Sequence, residues 1–292
     1  MKITNGKIVV NLPSKLRESD LFKDDPFVIF SCDNFLDGKC YFDFIKQMQS
    51  LYENADFEKD ATGKKRFKFE PNKAEEYRVN KIITDFIGVF KTLKFRNWFK
   101  KTHEPFFDIG FLGSVFPKSR IVEIILRIIN GVSRTLFRRK AFNVYHTSIE
   151  FSKIGRGASI APHTDSYAKR MALVFYTPFN EPTRDMVTKW GTQFWKSKPG
   201  RKPLRSWASS HKLENQELEK FHNENEVFAS IEYKANKVNG FIKNDLSWHS
   251  VEKNIYNEER VAIVINVYDI AASDQDISIL KDIQDKMYGK KS

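Results

Sequence analysis

Cysteine is nearly missing: Cys32 and Cys40 are the only two in 292 residues. Their spacing fits neither a disulfide framework nor a thiolate zinc site, which excludes a cysteine-stapled secreted scaffold. Long apolar runs are missing too. No stretch of eighteen apolar residues occurs, and the opening MKITNGKIVVNLPSKLRESD has no continuous apolar segment of the kind a secretory signal needs. A reducing, cytoplasmic setting is the expectation. No HExxH pair is present, which argues against a zinc hydrolase. Histidine is scarce, with six residues, so a metal site built from imidazoles has few places to draw on.

What is abundant is aromatic. Twenty-six phenylalanines and a hydrophobic fraction of 41% argue for a packed globule and against a disordered chain. A chain of this length can bury one large core, enough to shield a site from water. The formal charge of +12 is unevenly placed: residues 91–140 hold twelve Lys/Arg against three Asp/Glu, a balance of +9, and residues 189–212 hold seven against none. Such zones suit an anionic partner such as nucleic acid, a phosphorylated metabolite or a membrane surface. On charge alone, an ordinary solvated surface is the preferred reading.

The chain changes texture near residue 140. Residues 1–140 read as a mixed, mainly helical region packed on the core, with strands at 7–10 and 27–30 and helical patterns at 38–52, 73–95 and 119–137, the first capped by Asp37. Residues 141–292 read as short β-rich runs punctuated by Gly, Pro, Asn and Asp, near 142–152, 158–162, 170–177, 190–196, 226–233, 236–243, 247–253 and 259–268. A polar helix at 274–287 closes the chain. Eight short strands without intervening helices predict a double-stranded β-helix, the jelly roll of cupins, in an α+β, mainly β protein with supporting helices. The polar break at 196–225 reads as an inserted loop or lid.

The sharpest local signal is Ala161-Pro162-His163-Thr164-Asp165-Ser166. Period-two alternation turns the His163 imidazole and the Asp165 carboxylate to one face. A second histidine from a later strand would complete the two-histidine, one-carboxylate set that leaves iron three open positions. His249, in Ser247-Trp248-His249-Ser250-Val251-Glu252, is the good candidate. His103 precedes Glu-Pro in a predicted loop, His211 and His222 fall in the polar break, and His146 lies upstream in a strand. Eleven residues after His249, Arg260 opens the apolar strand Val261-Ala262-Ile263-Val264-Ile265-Asn266-Val267-Tyr268. A guanidinium there calls for an anion, either a ligand carboxylate or Glu258 or Glu259.

The order of HxD, a distant His and then an Arg, inside eight strands, resembles the 2-oxoglutarate and iron(II)-dependent oxygenases, in particular the prolyl-4-hydroxylase-like branch. Pro26 to Phe30 with Asn34-Phe35-Leu36 is similar to the entry of that branch, Phe151 to Gly157 to its approach to the metal, and Arg170 to Tyr176 to the strand that follows. The chain departs from the pattern with Gly191-Thr192 where two glycines are common, and with His249 placed 84 positions after Asp165. The resemblance implies iron(II) held by His163, Asp165 and His249, and 2-oxoglutarate held by Arg260. It also makes candidate co-substrate contacts of Lys153, where many members carry Tyr, and of Tyr176. Ascorbate is a further candidate cofactor. The implied reaction consumes dioxygen, releases succinate and carbon dioxide, and hydroxylates a C–H bond of a peptidyl residue, an amino acid or an anionic sugar or nucleotide-type molecule. Asp165 separates this reading from a halogenase, which has a small residue there.

Two segments stand outside that site. Trp190 to Trp207 interleaves aromatics with cations, which suits nucleic acid or a phosphorylated substrate as well as a buried strand with a basic loop. The pattern at 119–137, followed by Arg138, Arg139 and Lys140, is preferred as a helix packed beneath the main sheet, the other reading being a helix laid on an anionic membrane or a partner. A non-catalytic jelly-roll module binding an anionic ligand or nucleic acid is the alternative function.

Overall fold

The structure, a computed structural model, describes residues 1–55, 57–59, 64–67, 81–107, 110–206, 213 and 215–273. The expected helix at 274–287, part of the one expected at 73–95, His211 and Trp207 lie outside the described residues.

The N-terminal region begins with a hairpin of β1 (Lys2–Asn5) and β2 (Ile8–Asn11), followed by β3 (Leu21–Lys23) and β4 (Ile29–Cys32). Helix α1 (Gly38–Asn54) starts where the Asp37 carboxylate accepts from the Lys39 amide, and it buries Phe44, Met48 and Leu51 at helical spacing. After β5 (Glu58–Lys59) and β6 (Lys64–Phe67) come α2 (Lys81–Val89) and α3 (Leu93–His103). The pattern expected to run to residue 95 therefore ends early. Thr92 caps a new helix by accepting from the Phe95 amide, which carries His103 out of its predicted loop and into α3. Strand β7 (Ser114–Val115) precedes α4 (Arg120–Phe137), which Ser119 caps.

All eight expected strands follow: β8 (Asn143–Ile154), β9 (Ile160–His163), β10 (Lys169–Tyr176), β11 (Thr192–Ser197), β12 (Asn225–Ile231), β13 (Val238–Ile242), β14 (His249–Val251) and β15 (Arg260–Asp269). A short helix, α5 (Arg184–Lys189), delays β11 to residue 192 because Thr183 caps it and Trp190 ends it. The polar break also holds a helix, α6 (Gln216–Glu224), whose Phe221 packs on Trp248 at 5.0 Å. Its composition hid one apolar anchor among many charges.

In the larger sheet β13, β10, β15 and β8 are consecutive, extended by β4 and β3 at one edge and by β6 and β5 at the other. The smaller sheet runs β12, β11, β14, β9. Two antiparallel sheets alternating in this order form a double-stranded β-helix. Alternation along β15 divides its chemistry. Val261, Ile263, Ile265 and Val267 join Leu173, Phe175, Phe44 and Phe86 in the core beneath α1 and α2. Arg260, Ala262, Val264, Asn266 and Tyr268 belong to the opposite face, turned to the smaller sheet.

Helix α4 departs from expectation. It does not bury its apolar side beneath the main sheet, where α1, α2 and α3 already fill the space. It buries Leu126, Asn130 and Ser133 instead, with Asn130 exchanging two hydrogen bonds with the backbone of Phe142.

Candidate metal centre and its pocket

His163 ends β9 and faces His249, which opens β14: the two are register partners across the smaller sheet, with ring centroids 4.2 Å apart. Asp165 follows two residues on. One ligand-type atom from each of the three lies within 4.8 Å of the others. Each imidazole is oriented the same way, its Nδ1 donating to the carbonyl two residues earlier, Ala161 for His163 and Ser247 for His249, both at 3.0 Å. That bond fixes the tautomer and leaves each Nε2 lone pair available to the site. Phe241 packs on His249 at 4.6 Å and excludes water from that side.

The carboxylate is held asymmetrically. Asp165 Oδ1 accepts from Lys169 Nζ at 2.8 Å, while Oδ2 is buried without a hydrogen-bond partner, 3.8 Å from His249 Nε2. A buried carboxylate oxygen left in that state calls for a cation. The protonation states agree with this. Burial pushes His163 down to about 3, helped by the neighbouring His249, and burial also lowers His249. Burial alone would raise the Asp165 carboxyl, but the Lys169 ammonium, then His249 and His163, outweigh it and hold the group below its usual range. Two neutral imidazoles and one carboxylate are the forms that bind a metal without displacing protons.

Arg260 lines the same pocket. It is 3% exposed, its Nε donates to the Trp190 carbonyl, and its guanidinium lies over the rings of Tyr176 and Tyr233 at 5.2 and 5.7 Å. Among the described residues no carboxylate pairs with it, since Glu259 pairs with Lys153 at 3.3 Å instead. The pocket thus contains a cation whose surroundings are rings and a carbonyl.

The two other candidates are not brought to the pocket wall. Lys153 is the register partner of Val261, on the sheet face opposite to Arg260, and its ammonium sits over Phe57 at 4.7 Å. Alternation decides this, since Arg260 pairs with Ile154. Tyr176 is on the correct face, but its hydroxyl is tied to Thr192, accepting from the backbone amide at 2.9 Å and sharing a 2.7 Å bond with Oγ1. It supports Arg260 from below.

Sequence reasoning missed Lys169, Lys243, Asn266 and Glu150. Lys169 carried a usable signal, because a cation entering an apolar strand four residues after Asp165 poses the same question as Arg260. Lys243 is buried, donates to the carbonyls of Ser206 and Asn244, and is pushed down to about 7 by burial, with Asp165 opposing. Among the other histidines, His146 is exposed on β8 and His222 packs on Trp195 at 5.1 Å. In the basic segment from Trp190, Trp190 and Phe194 are buried, which fits the strand-with-loop reading over that part.

No protein-family model matches the chain, and no curated protein matches it in sequence. Among solved structures it is similar to a prolyl hydroxylase of Trichoplax adhaerens in complex with a hypoxia inducible factor oxygen degradation domain peptide fragment, at 11% identity, 86% coverage of each chain and a TM-score of 0.46. It is also similar to a Pseudomonas putida prolyl-4-hydroxylase, at 10% identity over 83% of this chain and 93% of that one, with a TM-score of 0.46. A third is HygX of Streptomyces hygroscopicus with nickel, 2-oxoglutarate and hygromycin B bound, at 7% identity, 84% coverage of each and a TM-score of 0.43.

Proposed function

We propose that the chain is an iron(II)- and 2-oxoglutarate-dependent oxygenase that hydroxylates a C–H bond of a polar substrate. The observation that carries this reading is the partnerless Asp165 Oδ2, with one ligand-type atom of Asp165, His163 and His249 all within 4.8 Å of one another. Two nitrogens and one oxygen, from neutral rings and a carboxylate, match a non-haem iron(II) centre with open positions. When bound, the metal supplies dioxygen chemistry that couples decarboxylation of 2-oxoglutarate to succinate with oxidation of the substrate.

The chain's own residues do the positioning. Lys169 holds Asp165 by one oxygen, so the other is presented to the metal. Arg260, desolvated over Tyr176 and Tyr233, neutralises the far carboxylate of the co-substrate. Asn266 Oδ1 is buried in the pocket without a hydrogen-bond partner, an acceptor suited to an N–H or O–H of the substrate. Peptidyl, amino-acid and anionic sugar or nucleotide-type substrates all carry such donors.

The test is anaerobic addition of iron(II) and 2-oxoglutarate to metal-stripped protein, followed by assay of succinate in air. A weak visible band and iron-dependent succinate are expected. Asp165→Ala should abolish both. Arg260→Ala should keep iron and weaken 2-oxoglutarate binding by about 100-fold, the scale of truncating one member of a desolvated charge pair. Undiminished succinate formation by Asp165→Ala would overturn the proposal, as would salt-sensitive retention on heparin with neither band nor succinate, the behaviour of a binding module.

A further inference from the structure

Helix α4 turns its apolar side to solvent. Ile121, Ile125, Ile128, Val132 and Leu136 recur at helical spacing, and four of them are more than half exposed: Ile121 70%, Ile128 61%, Val132 56% and Leu136 67%. Phe111 and Leu112, also exposed, extend the patch, with the Phe111 ring edge-on to Phe137 at 5.9 Å. A contiguous outward face of this kind marks a docking surface. The candidate occupants are a second copy, another protein, a further segment of this chain and a lipid surface.

Charge selects among them. Lys118, Arg120, Arg127, Arg138 and Arg139 are exposed along and beside α4, and its one acid, Glu123, is engaged by Arg127 at 2.9 Å. On the helical wheel Arg120 and Arg127 fall together along one flank of the apolar arc, and Arg138 follows directly at the end of the helix. A symmetric second copy would bring two such cationic flanks together, and among the described residues of α4 the one acid, Glu123, is already engaged by Arg127. Anionic headgroups answer them directly. The helix also lacks what spanning requires: among the described residues none is long and apolar enough to cross a membrane. An apolar face with cations along its edge suits a helix lying in the interface plane, with its aliphatic side chains among the acyl chains and its arginines at the phosphates.

We propose that α4 is a membrane-docking element that seats the protein on an anionic lipid surface through its Ile/Val/Leu face. The remaining side of the helix, Leu126, Asn130 and Ser133, holds the protein body against the sheet. Docking therefore leaves the fold unchanged.

Co-sedimentation of the full chain with vesicles tests this, comparing phosphatidylcholine alone with phosphatidylcholine mixed with phosphatidylglycerol. Pelleting is expected with the anionic mixture, falling as salt rises. Lys118→Gln with Arg139→Gln should lower the partition at least tenfold, at about fivefold for each cation near the surface. Ile125→Glu with Ile128→Glu should abolish it while melting as the parent does, since both side chains are exposed. A fluorophore on Ile128→Cys, selective because Cys32 and Cys40 are buried, should be water-exposed in lipid-free protein and shift to the blue on anionic vesicles. Failure to pellet, or equal pelleting of the double glutamate variant, overturns the proposal. So does a dimer in gel filtration that Ile128→Glu dissociates, or a label already shielded in the lipid-free monomer, which would assign the face to a second copy or to this chain's own segment.

Discussion

His103 shows what a buried imidazole does when neither a metal nor an acid claims it. Its ring stacks on Phe99 at 5.1 Å with 9° between the planes and meets Trp98 edge-on at 5.0 Å. Burial pushes its pKa down to about 3, against a backbone contact to Phe99 that raises it. The unfolded chain takes up this proton near pH 6.5 while the folded one resists, so stability is complete above that pH and falls as the solution is acidified toward 3. Between pH 7 and 5 the loss from this residue is roughly 2 kcal/mol. His103→Phe, which keeps the aromatic stack, should remove that loss, as read by urea melts of both proteins at the two pH values. An unchanged difference between the two pH values would show that the ring is not the group responsible. His103 also marks where sequence reasoning failed. His163 and His249 were legible because strand alternation and spacing define a metal set, whereas the depth of His103 depends on Thr92 restarting a helix, a tertiary outcome that no local pattern displays.

At the scale of elements, the eight strands were legible because each sits between turn-forming residues, and the two-sheet order follows from them. What escaped was helix placement. α5 and α6 are short and polar, and α4 has an apolar stripe that sequence alone assigns to a core. The strand joints carry their own test at Gly191, where α5 hands over to β11. A side chain there would put a carbon 1.8 Å from the Ile231 carbonyl oxygen, a backbone atom of the paired strand β12 that cannot rotate away. Gly191→Ala should therefore cost about 3 kcal/mol or more, at or above the top of the usual range for overpacking, and move the β11 and β12 pair. Gly38→Ala at the start of α1, where nothing lies within 4 Å, should be neutral or stabilising. Equal melting of the two variants would show that the β11 and β12 joint is looser than this contact requires.

Across the whole molecule, one buried ion cluster ties the helical region to the β-helix. Asp269, at the end of β15, accepts from Lys140 just beyond α4 and from Arg170 on β10 at 3.2 Å, and all three side chains are fully buried. Its Oδ1 also accepts from the amides of Val144 and Ala271. Burial raises this carboxyl while Lys140 and Arg170 outweigh it and hold it low. One acid therefore answers two cations from separate parts of the chain, and the three positions are not equivalent. Lys140→Met leaves Asp269 paired with Arg170, and the methionine can fill the space of the lysine stem. Asp269→Asn keeps the shape and the backbone bonds but takes the carboxylate away from the buried Arg170 guanidinium, a loss of about 3 to 5 kcal/mol when one member of a buried pair is removed. The expected order is thus a small effect for Lys140→Met and a large one for Asp269→Asn, read as shifts in the urea midpoint at unchanged slope. The Asn variant should also lose α4 first, seen as faster amide exchange across residues 120–137 than across β10 or β15, because Lys140 anchors the end of that helix. If Lys140→Met proves as costly as Asp269→Asn, the lysine acts through packing and the cluster is not the joint between the two parts.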